Sequence, residues 1–193
     1  MSPQRSNRDQ LVEGALRCLE RLPAERITAR AIADEAGANL ASIGYHFGSK
    51  DDLVTAAVIE GLDRWLDEIE RMLGDLRSTT AAGRFRRANA VIEETRQRHT
   101  GLAQTFFAAV AKAPHDPAVR DQLAEGFRKT RPAVAGLVEL GNDQAGLDAA
   151  GLALAQFYGL LLQTLLDPAL AIDGDRLQQA QQRLSRLTPT EQK

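Results

Sequence analysis

The chain has 193 residues, with 24 Lys and Arg against 26 Asp and Glu, a formal net charge of −2, and a single cysteine. This balance excludes a globally basic nucleic-acid coat, and one cysteine excludes an intrachain disulfide framework, which fits a reducing cytoplasm. Rich in Ala and Leu and poor in aromatic residues, the sequence has the composition of an all-α protein, long enough for one domain or two small ones.

Residues 1–5 read as a loose arm, polar and charged rather than patterned as a signal peptide. A first helix is expected from about Ser6 to Leu22, ending before Pro23. Its apolar positions Leu11, Ala15, Leu19 and Leu22 recur at helical intervals and enclose Cys18. That cysteine reads as a small buried hydrophobe, with a redox-sensing thiol as the alternative.

The segment Thr28–Lys50 is the most informative. Thr28 can cap a second helix by accepting a bond from a free N–H of its first turn, with Ile27 placed as a hydrophobic staple after Glu25 and Arg26. Ile32, Ala33 and Ala36 set small apolar groups on one face, Ala33 being small enough for a close helix crossing. Gly37 tolerates the left-handed backbone that ends a helix. Asn39 and Ser42 can support a third helix, about Leu40 to Phe47, that buries Ile43. Two short helices across a 3–4 residue turn form a helix-turn-helix, the geometry that places a helix in the DNA major groove. An ordinary helical hairpin has the same spacing. Seven basic side chains face six acidic ones within residues 1–50, so any attraction for DNA must come from their placement; Arg5, Arg8, Arg30 and Lys50 flank the reading helix.

Ile43-Gly44-Tyr45-His46-Phe47-Gly48-Ser49-Lys50, followed by Asp51-Asp52-Leu53, resembles the end of the recognition helix and the start of the fourth helix in the TetR family of bacterial transcriptional regulators. Thr28, Ile32-Ala33 and Ala36-Gly37 resemble the same pattern, and the likeness covers about residues 11 to 55. The resemblance implies a helix-turn-helix DNA-binding domain over residues 1–50 and a helical effector-binding and dimerisation domain over 51–193, about nine helices in all. It also implies a cytoplasmic, non-enzymatic repressor that binds palindromic double-stranded DNA as a homodimer and is released by a small molecule. Gly44 departs from the pattern, because many members carry an aromatic or polar residue there that touches the DNA backbone.

Candidate DNA-contacting residues follow. Asn39, Leu40, Ala41 and Ser42 open the third helix, where base edges are met; Ser42 can hydrogen-bond, while Leu40 and Ala41 offer apolar contact to thymine methyls. The resemblance assigns Tyr45 and His46 to phosphates, with Phe47 structural. Lys50 can act on a phosphate together with the N-terminus of the fourth helix, and Thr28 and Arg30 are further phosphate candidates.

The fourth helix is expected from Lys50 or Asp51 to about Leu76, its apolar residues stepping by three and four from Val54 through Trp65 to Leu76. A fifth helix follows over about Ala82–Arg98 and a sixth over Gly101–Ala113. Pro114-His115-Asp116-Pro117 is a stop signal. The seventh, Pro117–Leu140, contains Pro132, which should kink or split it. Gly141-Asn142-Asp143 turns into an eighth helix ending at Leu166, before Asp167-Pro168. The ninth covers Asp173–Leu187 with Asp173 as cap.

One short helix reads too few bases for genomic selectivity, so a second copy is expected. Leu152, Ala155, Gly159, Leu162 and Leu166 form an apolar face suited to a dimer; an intrachain core would use the same pattern. The apolar stretch Gly151–Leu166 is shorter than the ~20 residues a bilayer span needs. Trp65, Phe85, Phe106, Phe107 and Phe127 lie in helices that, by the resemblance, would surround a ligand pocket, and such a lining favours a mostly apolar ligand. No phosphate loop, HExxH, CxxC or GxSxG pattern occurs, and His46, His99 and His115 are scattered, so neither a metal nor another cofactor is expected. Two further readings remain beside the regulator: a helical interaction module that has lost DNA binding, and an all-helical carrier or enzyme using a C-terminal cavity.

Overall fold

The computed structural model of the chain describes residues 6–23, 26–74 and 80–187. Among them, nine α-helices follow one another: α1 (Asn7–Arg21), α2 (Ala29–Ala36), α3 (Ala41–Phe47), α4 (Lys50–Leu73), α5 (Ala81–Thr95), α6 (Thr100–Lys112), α7 (Pro117–Leu137), α8 (Gln144–Leu166) and α9 (Gly174–Ser185). Short 3-10 turns occupy Arg96–His99 and Pro168–Leu170. Contacts divide the chain into two compact units, one of residues 1–68 with 97–132, the other of 69–96 with 133–193. The fold is all-α, and the chain crosses between units within α4, at Arg96 and within α7.

Local chemistry explains the helix ends. Ser6, Thr28, Thr80 and Asp143 each accept a bond from a first-turn N–H of α1, α2, α5 and α8. Asp116 does the same for α7, with Pro117 in the first helical position where its missing N–H costs nothing. Several ends differ from the sequence expectation. α4 stops at Leu73, because Gly74 takes a left-handed φ of 59°. Pro132 does not split α7. Pro132 and Arg128, whose carbonyl loses its donor, are both exposed, so water can take that bond. Asp173 stands at the cap position of α9 yet makes no capping bond; Gly174 follows with a left-handed φ of 48°, which turns the first N–H groups off the carboxylate.

In the first unit, α1 packs on α2, α3 and α6. Leu11, Ala15, Leu19, Ile32, Ala33, Ile43, Leu53, Val58, Trp65, Leu102 and Phe106 are buried there. A close crossing of α1 on α2 is made by Gly14, where a Cβ would stand 2.7 Å from Ala36 Cβ and 2.9 Å from the Ile32 carbonyl oxygen. Gly101 likewise lies directly against the Leu19 carbonyl. Glu35 of α2 accepts from Arg17 at 2.6 Å, and Arg64 of α4 binds Glu13 of α1 and Glu60 (2.9 Å), which raises the Arg64 pKa. Cys18 is buried, and burial first of all pushes its thiol up, which reduces the fraction of reactive thiolate.

In the second unit, Val91, Ala135, Val138, Ala150, Leu154, Leu161 and Leu177 form the core, and α5 packs on α9. α8 runs from Gln144 to Leu166, as expected from the turn at Asp143 and the break at Asp167-Pro168. At 23 residues it is, among the described residues, the one helix long and apolar enough to cross a membrane, and only 17% of its most apolar window is buried. Leu152 and Leu166 are 74% and 75% exposed.

Candidate nucleic-acid interface

The interface is built from the turn outward. The Thr28 hydroxyl accepts from the Ala31 N–H at 3.1 Å and fixes the start of α2. Ile27 and Ile32 are both buried, as a staple across that turn requires. At the other end Gly37 adopts φ 63°, ψ 29°, and the Ala38 N–H reaches back to the Ala33 carbonyl at 2.9 Å. This left-handed closure is cheap for glycine and satisfies the last carbonyls of α2. Two residues on, Asn39 Oδ1 accepts from the Ala41 N–H at 2.9 Å and starts α3. Asn39 thus has its side-chain oxygen committed to the backbone, and the residue is exposed.

α3 fully buries one side chain, Ile43. Asn39, Leu40, Ala41 and Tyr45 are exposed, Tyr45 by 86%, while Ser42 and His46 are half-buried. Asn7, Asn39, Ala41, Ser42, Tyr45 and His46 line one open concavity. The Tyr45 and His46 rings meet edge to face at 4.8 Å. Phe47 is half-buried, with the Arg8 guanidinium over its ring at 5.0 Å. That contact joins α1 to α3 and gives Phe47 a structural task while positioning a cation beside the reading helix. Thr28 and Arg30 are exposed at the start of α2. Arg5 and Glu25 lie outside the described residues. Gly44 is exposed, and a Cβ there would meet nothing within 4 Å.

Lys50 begins α4 immediately after Ser49, whose hydroxyl accepts from the Asp52 N–H at 3.0 Å and donates to the Asp52 carboxylate at 2.7 Å. The Lys50 ammonium stands 3.1 Å from Asp51, which also receives Lys112 at 2.7 Å. Two contributors escaped the sequence reading. Asn7 reaches the α3 concavity from the start of α1, and Lys112 reaches the start of α4 from the end of α6. Neither carries a local signal, since both are placed by packing.

The aromatic residues expected around a pocket separate into two groups. Phe106, Phe107 and Phe127 cluster in the first unit, with ring centroids 5.2 and 6.3 Å from Phe106, and Trp65 is buried with His99 stacked on it at 4.5 Å. Glu68 binds that His99 ring at 2.9 Å. Phe85 stands in the second unit, in a groove of about 380 Å³ with Val138, Leu140, Ala149 and Leu152. Of the five residues expected at a dimer face, Leu152, Ala155, Leu162 and Leu166 are exposed and Gly159 is half-exposed with open space around it.

Residues 11–57 match the family described as bacterial regulatory proteins, tetR family. The chain is 38% identical over 66 residues to the nicotine-responsive transcriptional repressor HdnoR of Paenarthrobacter nicotinovorans, a stretch that spans about a third of either chain (34%). In fold it is similar to the multidrug binding protein EbrR solved with imidazole, at 25% identity, a TM-score of 0.62 and 98% of both chains. It is also similar to a TetR transcription regulator from Haloarcula marismortui, at 20% identity, a TM-score of 0.62, and 93% and 95% of the two chains. With the segment Thr28–Lys50 folded as a helix-turn-helix within the matched residues, it is this N-terminal stretch that carries the likeness to the tetR family of bacterial regulatory proteins.

Proposed function

We propose that the protein is a homodimeric, sequence-selective DNA-binding repressor that leaves its operator when a small, mostly apolar molecule binds. The observation that carries this reading is the outward face of α3. A seven-residue helix that fully buries Ile43 alone, with Leu40 just before it, leaves Leu40, Ala41 and Tyr45 exposed and Ser42 half-exposed, an arrangement with no use inside the unit and the right length to meet base edges. Asn39, Ser42, Tyr45, His46, Thr28, Arg30 and Lys50 then supply polar or cationic groups around it, the last five toward phosphates. The apolar outward face of α8 supports a second copy, which supplies the second reading head that a two-fold operator needs.

HdnoR is described as nicotine-responsive and EbrR as multidrug-binding, which supports an effector site here too. Such a ligand acts only if it binds one arrangement of the paired heads better than another. The groove around Phe85 is apolar, with Gln156 and Gln181 at its edge joined at 3.0 Å, and suits a small molecule with one or two polar atoms.

Selection of bound genomic fragments by the purified chain tests the reading. A palindromic motif with half-site centres about 34–36 Å apart is expected. Recovery of fragments with no shared motif, or none at all, overturns it and favours a helical interaction module.

A further inference from the structure

Lys50 is followed on the first turn of α4 by two carboxylates, Asp51 and Asp52. Both suit a helix N-terminus, whose dipole favours negative charge. Both also repel a phosphate approaching Lys50. The fold answers each one separately. Asp52 accepts from the Ser49 hydroxyl at 2.7 Å and from the Gln122 amide of α7 at 3.3 Å. Asp51 lies between two ammonium groups, with Lys50 3.1 Å from one oxygen and Lys112 2.7 Å from the other. Lys112 is the last residue of α6, where the terminal carbonyls favour a cation.

We infer that Lys112 is a positioning residue of the DNA interface: by holding the Asp51 carboxylate from the α6 side, it leaves the Lys50 ammonium able to turn to a phosphate. The inference rests on the DNA-binding reading above. Without Lys112, the strongest partner in reach of Lys50 is the carboxylate next to it, and the three charges Lys50, Asp51 and Asp52 present a net negative tip to a polyanion. With Lys112 the same tip is neutral. The Asp51 carboxyl is held below its ordinary value, by the bond from Lys112 before that from Lys50, which agrees with Lys112 as the firmer partner. Lys112 is 53% exposed and Asp51 38%, so the pair contributes little to folding and its removal should leave the unit intact.

The test uses the full chain and fluorescence anisotropy against two duplexes: the palindrome recovered by fragment selection and a mixed-sequence duplex of equal length. Lys112→Gln should weaken both complexes roughly tenfold at low salt. It should also lower the slope of log affinity against log salt by about 0.9 per protomer, the signature of one lost phosphate contact. Adding Asp51→Asn should restore the parent's affinity and slope, because the competitor for Lys50 is then gone. In a Lys50→Gln background, Lys112→Gln should change nothing further. If Lys112→Gln binds as the parent does, the inference falls. If Asp51→Asn fails to rescue it, Lys112 touches DNA itself and the positioning role is wrong. A parent that binds neither duplex overturns the DNA-binding reading and this inference with it.

Discussion

The outward face of α3 and the outward face of α8 are both left uncovered by the protein's own side chains, yet their chemistry is opposite. α3 offers Ala41, Ser42, Gly44, Tyr45 and His46, small or polar groups around one phenol that is 86% exposed. α8 offers Leu152, Ala155, Leu162 and Leu166, with the two end leucines about three-quarters exposed. The first face has too little apolar area to gain much by burial and gains instead from hydrogen bonds and charge. The second is mostly apolar, with Gln163 already bonded to the Gly159 carbonyl at 3.3 Å, and gains chiefly by excluding water. Under the proposed function, this difference keeps a hydrated polyanion and a second copy of the chain from competing for the same surface.

The strongest way to break the comparison is to make the α8 face polar. Leu152→Asp with Leu166→Asp should yield a monomer in sedimentation. Affinity for the palindrome should then fall on the order of a hundredfold or more, because two linked heads bind far better than one. The double variant should keep its helical circular dichroism, since neither side chain is buried. A dimer that survives the two charges would show that α8 is not the self-association face.

On the α3 side the largest effects separate placement from reading. Lys50→Ala should weaken binding to every sequence and lower the salt slope by about 0.9. Ser42→Ala should leave the slope alone and relax preference at a single base position by about 1–3 kcal/mol. Both variants binding as the parent does would remove α3 and the α4 start from the interface.

The boundaries of α1, α2 and α3 were legible because their causes are local. Ser6 and Thr28 cap their own helices, and Gly37 supplies the turn between α2 and α3. Where the cause is tertiary, the sequence was silent or misleading. Ala33 is the small buried residue that the pattern of α2 offers to a crossing, but Gly14 and Gly101, which also bring helices together, lie on α1 and α6 and carry no local signal. Pro132 is tolerated because solvent reaches its turn, a fact of burial that no propensity contains. Lys112 meets Asp51 across 61 positions, and Asn7 joins the α3 concavity from the start of α1. Caps and turns are written in neighbouring residues, whereas electrostatic partners are written in packing.

Gly44 sharpens the comparison further, because its two expected effects have opposite signs. The residue is helical, exposed and without a neighbour for a Cβ within 4 Å. Within the free chain a glycine there is only a cost, and Gly44→Ala should stabilise the head by about 0.5–1 kcal/mol, read as a higher melting temperature. If DNA lies close against this turn of α3, the added methyl should at the same time weaken the selected complex several-fold. A variant that is both more stable and as tightly bound would show that the duplex keeps its distance from Gly44.

The smallest expected effect concerns the carboxylate beside Lys50. Asp51 ionises more readily in the folded chain than at its ordinary value of 3.8, chiefly through the bond from Lys112. A carboxyl with a depressed folded pKa adds stability that is present in full above 3.8 and disappears as pH falls through the lower folded value. The parent should therefore be slightly more stable than Asp51→Asn from pH 5 upward, and the gap should close below that range in urea titrations. Because the Asp51 side chain is 38% exposed, added salt should shrink the same gap at neutral pH. A gap that survives at the acid end would mean that Asp51 supports the start of α4 through its shape and hydrogen bonds rather than its charge. Neutralisation by Lys112 would then have no bearing on how Lys50 meets a phosphate.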